Sequence, residues 1–130
     1  MGQEDGGDEG VEVVAIVGSR KYPQLERVKD YVKSLPDGIL VVSGGADGVD
    51  IIAEVTALIR GLTVRRLPAE WEVYGKGAGF IRNQKIVDAC DRLVAFWDGS
   101  SKGTADTLEK VRKSGKPYEV FLPFSQPEPQ

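Results

Sequence analysis

Short β-branched runs alternate along this chain with segments of helical period, and that alternation constrains the fold more than any other feature. VEVVAIV at 11–17, ILVVS at 39–43, LTVRRL at 62–67, RLVAFW at 92–97 and YEVFL at 118–122 have the length and composition of strands. The most continuous of them read as strands buried on both faces. Between the first two runs, Leu25, Val28, Tyr31, Val32 and Leu35 share one helical stripe, with Pro23 suited to the first turn. Asp50 is placed to cap a second helix running to Arg60; a third is expected from Phe80 to Cys90 and a fourth from Thr104 to Ser114. Strict β-α alternation predicts an α/β fold: three α/β/α layers around a five-stranded, mostly parallel sheet with right-handed crossovers.

A chain of 130 residues, 41% of them hydrophobic, has the size of a single domain and can bury one core. That domain is expected over residues 11–124. The segment MGQEDGGDEG at 1–10 carries four acids and no large apolar residue after the first, and SQPEPQ at 125–130 is as poor in core formers, so both are expected to be disordered tails. No leader pattern and no apolar run of membrane-spanning length is visible, which makes a cytoplasmic protein without membrane contact the expectation. There is no histidine, and Cys90 is the one cysteine. Ser-His-Asp hydrolysis, Cys-His nucleophiles and histidine-ligated zinc are thereby excluded, and a lone cysteine makes neither an internal disulfide nor a thiolate cluster. The net charge is −3, and with four acids in the first ten residues the remainder stands at +1. A fold so close to neutral weighs against nucleic acid as a partner, because nonspecific nucleic-acid binders are usually strongly basic.

Beyond residue 10 the glycines fall into two groups. Gly38, Gly61 and Gly115 each stand between a helix and the following strand, the place of a helix C-cap. Gly18, Gly44, Gly45, Gly48, Gly75, Gly77, Gly79, Gly99 and Gly103 instead stand after a strand and before a helix. In an open parallel sheet that edge binds ligands, since glycine admits close backbone approach and helix N-termini favour anions. Neither GxGxxG nor GxxxxGK[ST] is present, so the familiar dinucleotide and triphosphate loops are missing. A helix N-terminus contributes only about 0.3–1 kcal/mol, whereas micromolar affinity takes about 8, so charged hydrogen bonds and ring contacts must supply the rest. Arg20, Arg82, Trp71, Tyr74 and Trp97 are the candidates, with solvated surface charge and core packing as the competing explanations of the same residues.

GSR at 18–20, SGGADGVD at 43–50, AEWEVYGKGAGFIRNQKIVDACD at 69–91 and AFWDGSSKGTADT at 95–107 together resemble the YspA-like (cpYpsA-related) branch of the SLOG superfamily, over residues 11–122. The resemblance implies a Rossmann-like fold and a nucleotide or nucleotide-derived ligand. More distantly, the chain is similar to the Lonely Guy phosphoribohydrolases, once labelled lysine decarboxylases, which release a base from a nucleoside monophosphate. Their arginine nine residues before a strand-opening aspartate is matched by Arg82 and Asp91, and their Gly-Thr pair by Gly103 and Thr104. Their Pro-Gly-Gly turn is replaced here by residues 97–101, and the position of their catalytic glutamate falls on Thr107, which cannot activate water as a carboxylate does. A third distant resemblance is to the DNA-processing protein DprA, which has a related core.

The expectation that follows is a phosphorylated small molecule at the carboxyl edge of the sheet, sensed or processed there. Gly18, Ser19, Arg20, Ser43, Gly44 and Gly45 line it in this reading; Ser100, Ser101, Gly103 and Thr104 receive phosphate; Arg82 supplies the fixed charge. Asp50 is either a ligand contact or a helix cap, Asn83 either binds ligand or steadies its loop, and Trp71 either stacks or packs. An enzymatic alternative, cleavage of an N-glycosidic bond, assigns catalysis to Arg82 with Asp98 or Asp106. Asp98 equally suits a ribose hydroxyl or a loop turn, and Asp106 equally suits the helix dipole. A third alternative is single-stranded DNA binding of the DprA type, through a patch at 62–85 where Arg65, Arg66, Lys76, Arg82 and Lys85 outnumber Glu70 and Glu72. No cofactor is identified, and magnesium enters only with a phosphorylated ligand. By resemblance, a homodimer or higher homo-oligomer is expected.

Overall fold

Because successive side chains of a strand point to opposite faces, a strand covered by helices on both sides must be apolar at every position, and the central runs of this chain meet that condition. The computed structural model describes residues 10–124. The expected tails at 1–10 and 125–130 lie, except for Gly10, outside the described residues. The elements are β1 (Val13–Gly18), α1 (Leu25–Ser34), β2 (Leu40–Ser43), α2 (Val49–Ile59), β3 (Thr63–Arg66), α3 (Trp71–Tyr74), α4 (Ala78–Ala89), β4 (Arg92–Phe96), α5 (Lys102–Ser114) and β5 (Tyr118–Phe121). A 3-10 turn at Gly75–Gly77 joins α3 to α4.

The five strands form one sheet in the order β3-β2-β1-β4-β5, every pair parallel. Val14, Ile16, Val41, Val94 and Phe96 face one layer, with Val28 and Val32 of α1 and Val49, Ala53 and Ala57 of α2 packed on them. Ala15, Val17, Val42, Leu93 and Ala95 face the other, against Ile86 and Val87 of α4 and Val111 of α5. The chain winds outward from β1 through β2 to β3, then returns to the far side of β1 with β4. Strand order therefore reverses between β1 and β4, and a crevice opens at their carboxyl ends, the place where open α/β sheets take their ligands.

Gly18 closes that junction. It pairs with Phe96 in register, and a Cβ on it would stand 2.6 Å from the Phe96 carbonyl oxygen and 2.7 Å from the Val49 side chain. The start of α2 can lie across the end of β1 only because this residue has no side chain. At Gly48 the backbone has φ +80° and comes within 2.6 Å, as measured to an added Cβ, of the Arg20 carbonyl oxygen, which draws the β2–α2 loop against the β1–α1 loop.

Several local expectations are corrected. Gly48, not Asp50, is the residue at the N-cap of α2, and Asp50 lies inside the first turn. Its side chain turns back to accept the Ala46 N–H at 3.2 Å. Pro23 precedes the Gln24 N-cap of α1, and Gly38 stands beyond the Leu35 C-cap in the turn to β2. Gly61 follows the Arg60 C-cap, while Gly115 is itself the left-handed C-cap of α5. The helix expected from Phe80 begins at Ala78, and the short helix α3 before it has no counterpart in the sequence pattern. No described helix is long and apolar enough to cross a membrane.

Candidate functional site

The crevice at the β1–β4 switch point is a cavity of about 370 Å³. Its floor is the end of β1 and the first turn of α2, one wall is α4, and the other is the loop from β4 into α5. Three cations reach it: Arg20 and Lys21 from the turn after β1, and Arg82 from α4. Arg20 and Lys21 are exposed, as expected for residues just past a strand end on the open edge. Arg82 is half-buried and aimed: its Nη1 donates to the Gly44 carbonyl at 3.0 Å and its Nε to Asn83 Oδ1 at 3.1 Å. Those bonds take two of the five N–H donors of a guanidinium and fix its plane, leaving donors for an anion.

Asn83 is buried between Arg82 and α5. Its Nδ2 donates to the Gly103 carbonyl at 3.2 Å and to Asp106 Oδ2 at 3.0 Å, so one amide couples the arginine to the first turn of α5. Ser101 caps α5, accepting the Thr104 N–H at 3.4 Å, and Ser101, Gly103 and Thr104 face the cavity. The start of α5 thus presents its positive dipole end to the same space as the three cations.

Two carboxylates also line the cavity, with opposite titration behaviour. Asp98 Oδ1 accepts the N–H of Ser100 at 2.9 Å and of Ser101 at 2.8 Å, and these bonds hold its carboxyl below the usual carboxylate range. Its role visible here is to turn the loop into α5. Asp50 is 5% exposed, and burial pushes its carboxyl up to about 6 against the opposing pull of the Ala46 N–H and the Arg82 charge. It is a buried acid beside the cation that Arg82 supplies.

The other residues singled out by the sequence lie around the cavity. Ser19 is buried and accepts the Asp98 N–H at 3.0 Å, locking the β1 loop to the β4 loop. Ser43 is fully buried: its hydroxyl donates to Glu54 at 2.7 Å and accepts the Gly45 N–H at 3.2 Å. Gly44 and Gly45 form the loop over which Arg82 and Arg66 are laid. Ser100 is exposed, and Asp106 lies outside the cavity, between α4 and α5, where its Oδ2 accepts from Asn83 and Lys110 Nζ contacts both its oxygens at 2.7 and 2.5 Å. Trp71 stands outside the cavity on α3, 59% exposed. Thr107, on which the glutamate position of the phosphoribohydrolase resemblance falls, lines the cavity, and so does Lys21, to which no motif pointed. For Lys21 a signal existed, a second cation directly after GSR at a strand's carboxyl end. Among the described residues no group of three histidine, cysteine, aspartate or glutamate side chains is arranged to hold a metal ion.

Fold and site together define a parallel α/β protein with a cationic crevice at its topological switch point. The family model of DNA recombination-mediator protein A matches residues 5–77, and the chain belongs to that family. It is 37% identical over 118 residues to the Gene 61 protein of Mycobacterium phage D29, an alignment covering 83% of this chain and 94% of that protein. Among solved structures it is similar to DNA processing protein A (DprA) from Streptococcus pneumoniae, with a TM-score of 0.71 and 23% identity over 88% of this chain. It is also similar to DNA processing protein A from Helicobacter pylori, a structure described for its single-stranded DNA binding mode, with a TM-score of 0.65 and 25% identity over 90% of this chain. The chain spans 51% of the pneumococcal chain and 67% of the Helicobacter one.

Of the three resemblances read from sequence, these findings support the one to DprA. They overturn the expectation against nucleic acid, and with it the small nucleotide as the partner. The physical reason is that net charge averages over a surface. A domain near neutrality can still bring Arg20, Lys21 and Arg82 to one crevice, where they outnumber Asp50 and Asp98, while other acids are spent on ion pairs such as Glu70–Lys85 at 2.8 Å and Glu109–Arg112 at 2.6 Å.

Proposed function

We propose that this chain binds single-stranded DNA, with a backbone phosphate seated in the crevice between the carboxyl ends of β1 and β4. The observation that carries the reading is the convergence of Arg20, Lys21 and Arg82, from two separate segments, on one cavity at the start of α5. Arg82 is its centre, because its guanidinium is pre-oriented by Gly44 and Asn83 and loses little freedom on meeting a phosphate. Membership in a recombination-mediator family and the DNA-binding Helicobacter neighbour support a strand of DNA as the polyanion. Of the two carboxylates that the glycosidic alternative would use, Asp98 turns its loop and Asp106 is paired with Lys110.

The test is equilibrium binding of a labelled single-stranded oligonucleotide to the wild-type chain and to Arg82→Ala. A charged hydrogen bond contributes about 1.5–3 kcal/mol, so the substitution is expected to weaken binding roughly 10- to 100-fold at unchanged fold. Arg82→Lys, which keeps the charge but loses the fork, is expected to fall between the two. Equal affinity of wild type and Arg82→Ala would remove the crevice from the reading.

A further inference from the structure

The cavity accounts for phosphate but not for the most exposed aromatic surface at the same edge of the sheet. The segment after β3 forms α3, which has no buried residue; Trp71 is 59% exposed, Val73 67% and Tyr74 43%. Large rings left in water at a strand's carboxyl edge are costly unless something covers them. These rings are nonetheless held in place. Lys85 of α4 donates to Glu70 at 2.8 Å and lies 5.4 Å over the Tyr74 ring. The far edge of the Trp71 indole stands 3.7 Å from where a Cβ on Gly79 would be, so the ring rests against the glycine-bare first turn of α4. Phe80 is also exposed, but Lys110 of α5 lies 5.5 Å over it, which turns it toward the other flank.

Resting on the reading just given, we infer that Trp71 and Tyr74 form a stacking shelf for unpaired bases of the strand whose phosphate occupies the crevice. The occupant follows from continuity. Gly79, against which the Trp71 ring rests, and Arg82 stand three residues apart on α4 and so share one of its faces, and a strand whose phosphate meets Arg82 continues along that face to the rings. A duplex holds its bases inside the stack, so only an unpaired strand can lay a base on an exposed indole. The crevice recognises phosphates, which single and double strands share; the shelf is what separates them.

The experiment compares three probes of equal length on the full chain: oligothymidylate, an abasic deoxyribose-phosphate oligomer with the same number of phosphates, and a blunt duplex. Base–aromatic stacking is worth roughly a tenfold to hundredfold change in affinity per base. Wild type is expected to prefer oligothymidylate to the abasic oligomer by that ratio, with quenching of indole fluorescence by the first and not by the second. Trp71→Ala is expected to abolish both the preference and that quenching, and Trp71→Phe to keep most of the preference. Because the ring is exposed, neither change threatens the fold. If the abasic oligomer binds as well as oligothymidylate while Arg82→Ala still weakens both, the shelf is wrong and the crevice stands. If no probe binds, or Arg82→Ala leaves binding untouched, the underlying reading fails and the shelf with it. If Trp71→Ala changes only the sedimentation of the protein and not its base preference, the rings cover a second copy of the chain and the inference is overturned.

Discussion

Asp50 is the residue on which burial and charge pull hardest against each other. Its carboxyl sits in the floor of a cationic cavity at 5% exposure, and burial raises its pKa from 3.8 to about 6. The folded chain therefore holds this proton more tightly than the unfolded chain. Between pH 3.8 and about 6 the folded state is the better proton binder, so this group's contribution to stability falls as pH rises through that window and is fully lost above it. Asp50→Asn keeps an oxygen to accept the Ala46 N–H without the buried charge. Urea unfolding is expected to show the variant more stable than wild type at pH 7, by on the order of 2 kcal/mol, with the gap closing toward pH 4. The same substitution removes a negative charge beside Arg82, so DNA affinity is expected to rise at pH 7, and the wild type is expected to approach it on acidification to pH 5. Gly18 gives the opposite kind of residue-level prediction. A methyl there meets the Phe96 carbonyl oxygen at 2.6 Å, backbone that cannot step aside, and Gly18→Ala is expected to lower stability by about 1–3 kcal/mol in the same assay.

At the scale of elements, what was legible in the sequence follows from period and length. β1, β2 and β4 are read correctly because strands covered on both faces must be continuously apolar, and α1 because Val28 and Val32 repeat on the buried face. α3 is not legible, since four residues make barely one turn and Trp71, Val73 and Tyr74 face no core that would impose a period. Asp50 misleads because an acid ahead of a helical stripe is the usual cap, whereas here a left-handed glycine starts the helix and the acid folds beneath it. The strand order is not legible either, because strict alternation is compatible with more than one winding. Of the candidate site, Arg20, Arg82 and the Gly103–Thr104 turn are found from sequence; Lys21 needs the three-dimensional convergence to stand out. The first turn of α5 carries its own prediction. A Cβ on Gly103 meets nothing within 4 Å, yet the residue lines the cavity. Gly103→Ala is expected to raise stability by about 0.5–1 kcal/mol through lower chain entropy, and to weaken DNA binding because the methyl enters the phosphate seat. Thermal melts and oligonucleotide titration on one preparation separate the two effects.

For the molecule as a whole, the near-neutral fold sets how binding must respond to salt. A protein that envelops DNA in a basic surface releases many counterions and loses affinity steeply as salt rises. This domain brings three cations to its crevice, and beyond residue 10 the chain carries a net charge of only +1, so long-range attraction contributes little and contact charges dominate. With about 0.7 counterion released per phosphate neutralised on a single strand, three contacts predict a slope near −2 in log K against log salt, or roughly a 20-fold loss between 50 and 200 mM. Removing Arg82 is expected to reduce the slope by about 0.7, whereas Trp71→Ala lowers affinity and leaves the slope alone, since a stacked base releases no counterion. Titrations at four salt concentrations read both. A slope steeper than about −4 would mean that the strand follows a longer basic track than the crevice and α4 provide, with the exposed Arg65 of β3 as the next cation along the edge, since Arg66 beside it is paired with Glu54 at 2.6 Å.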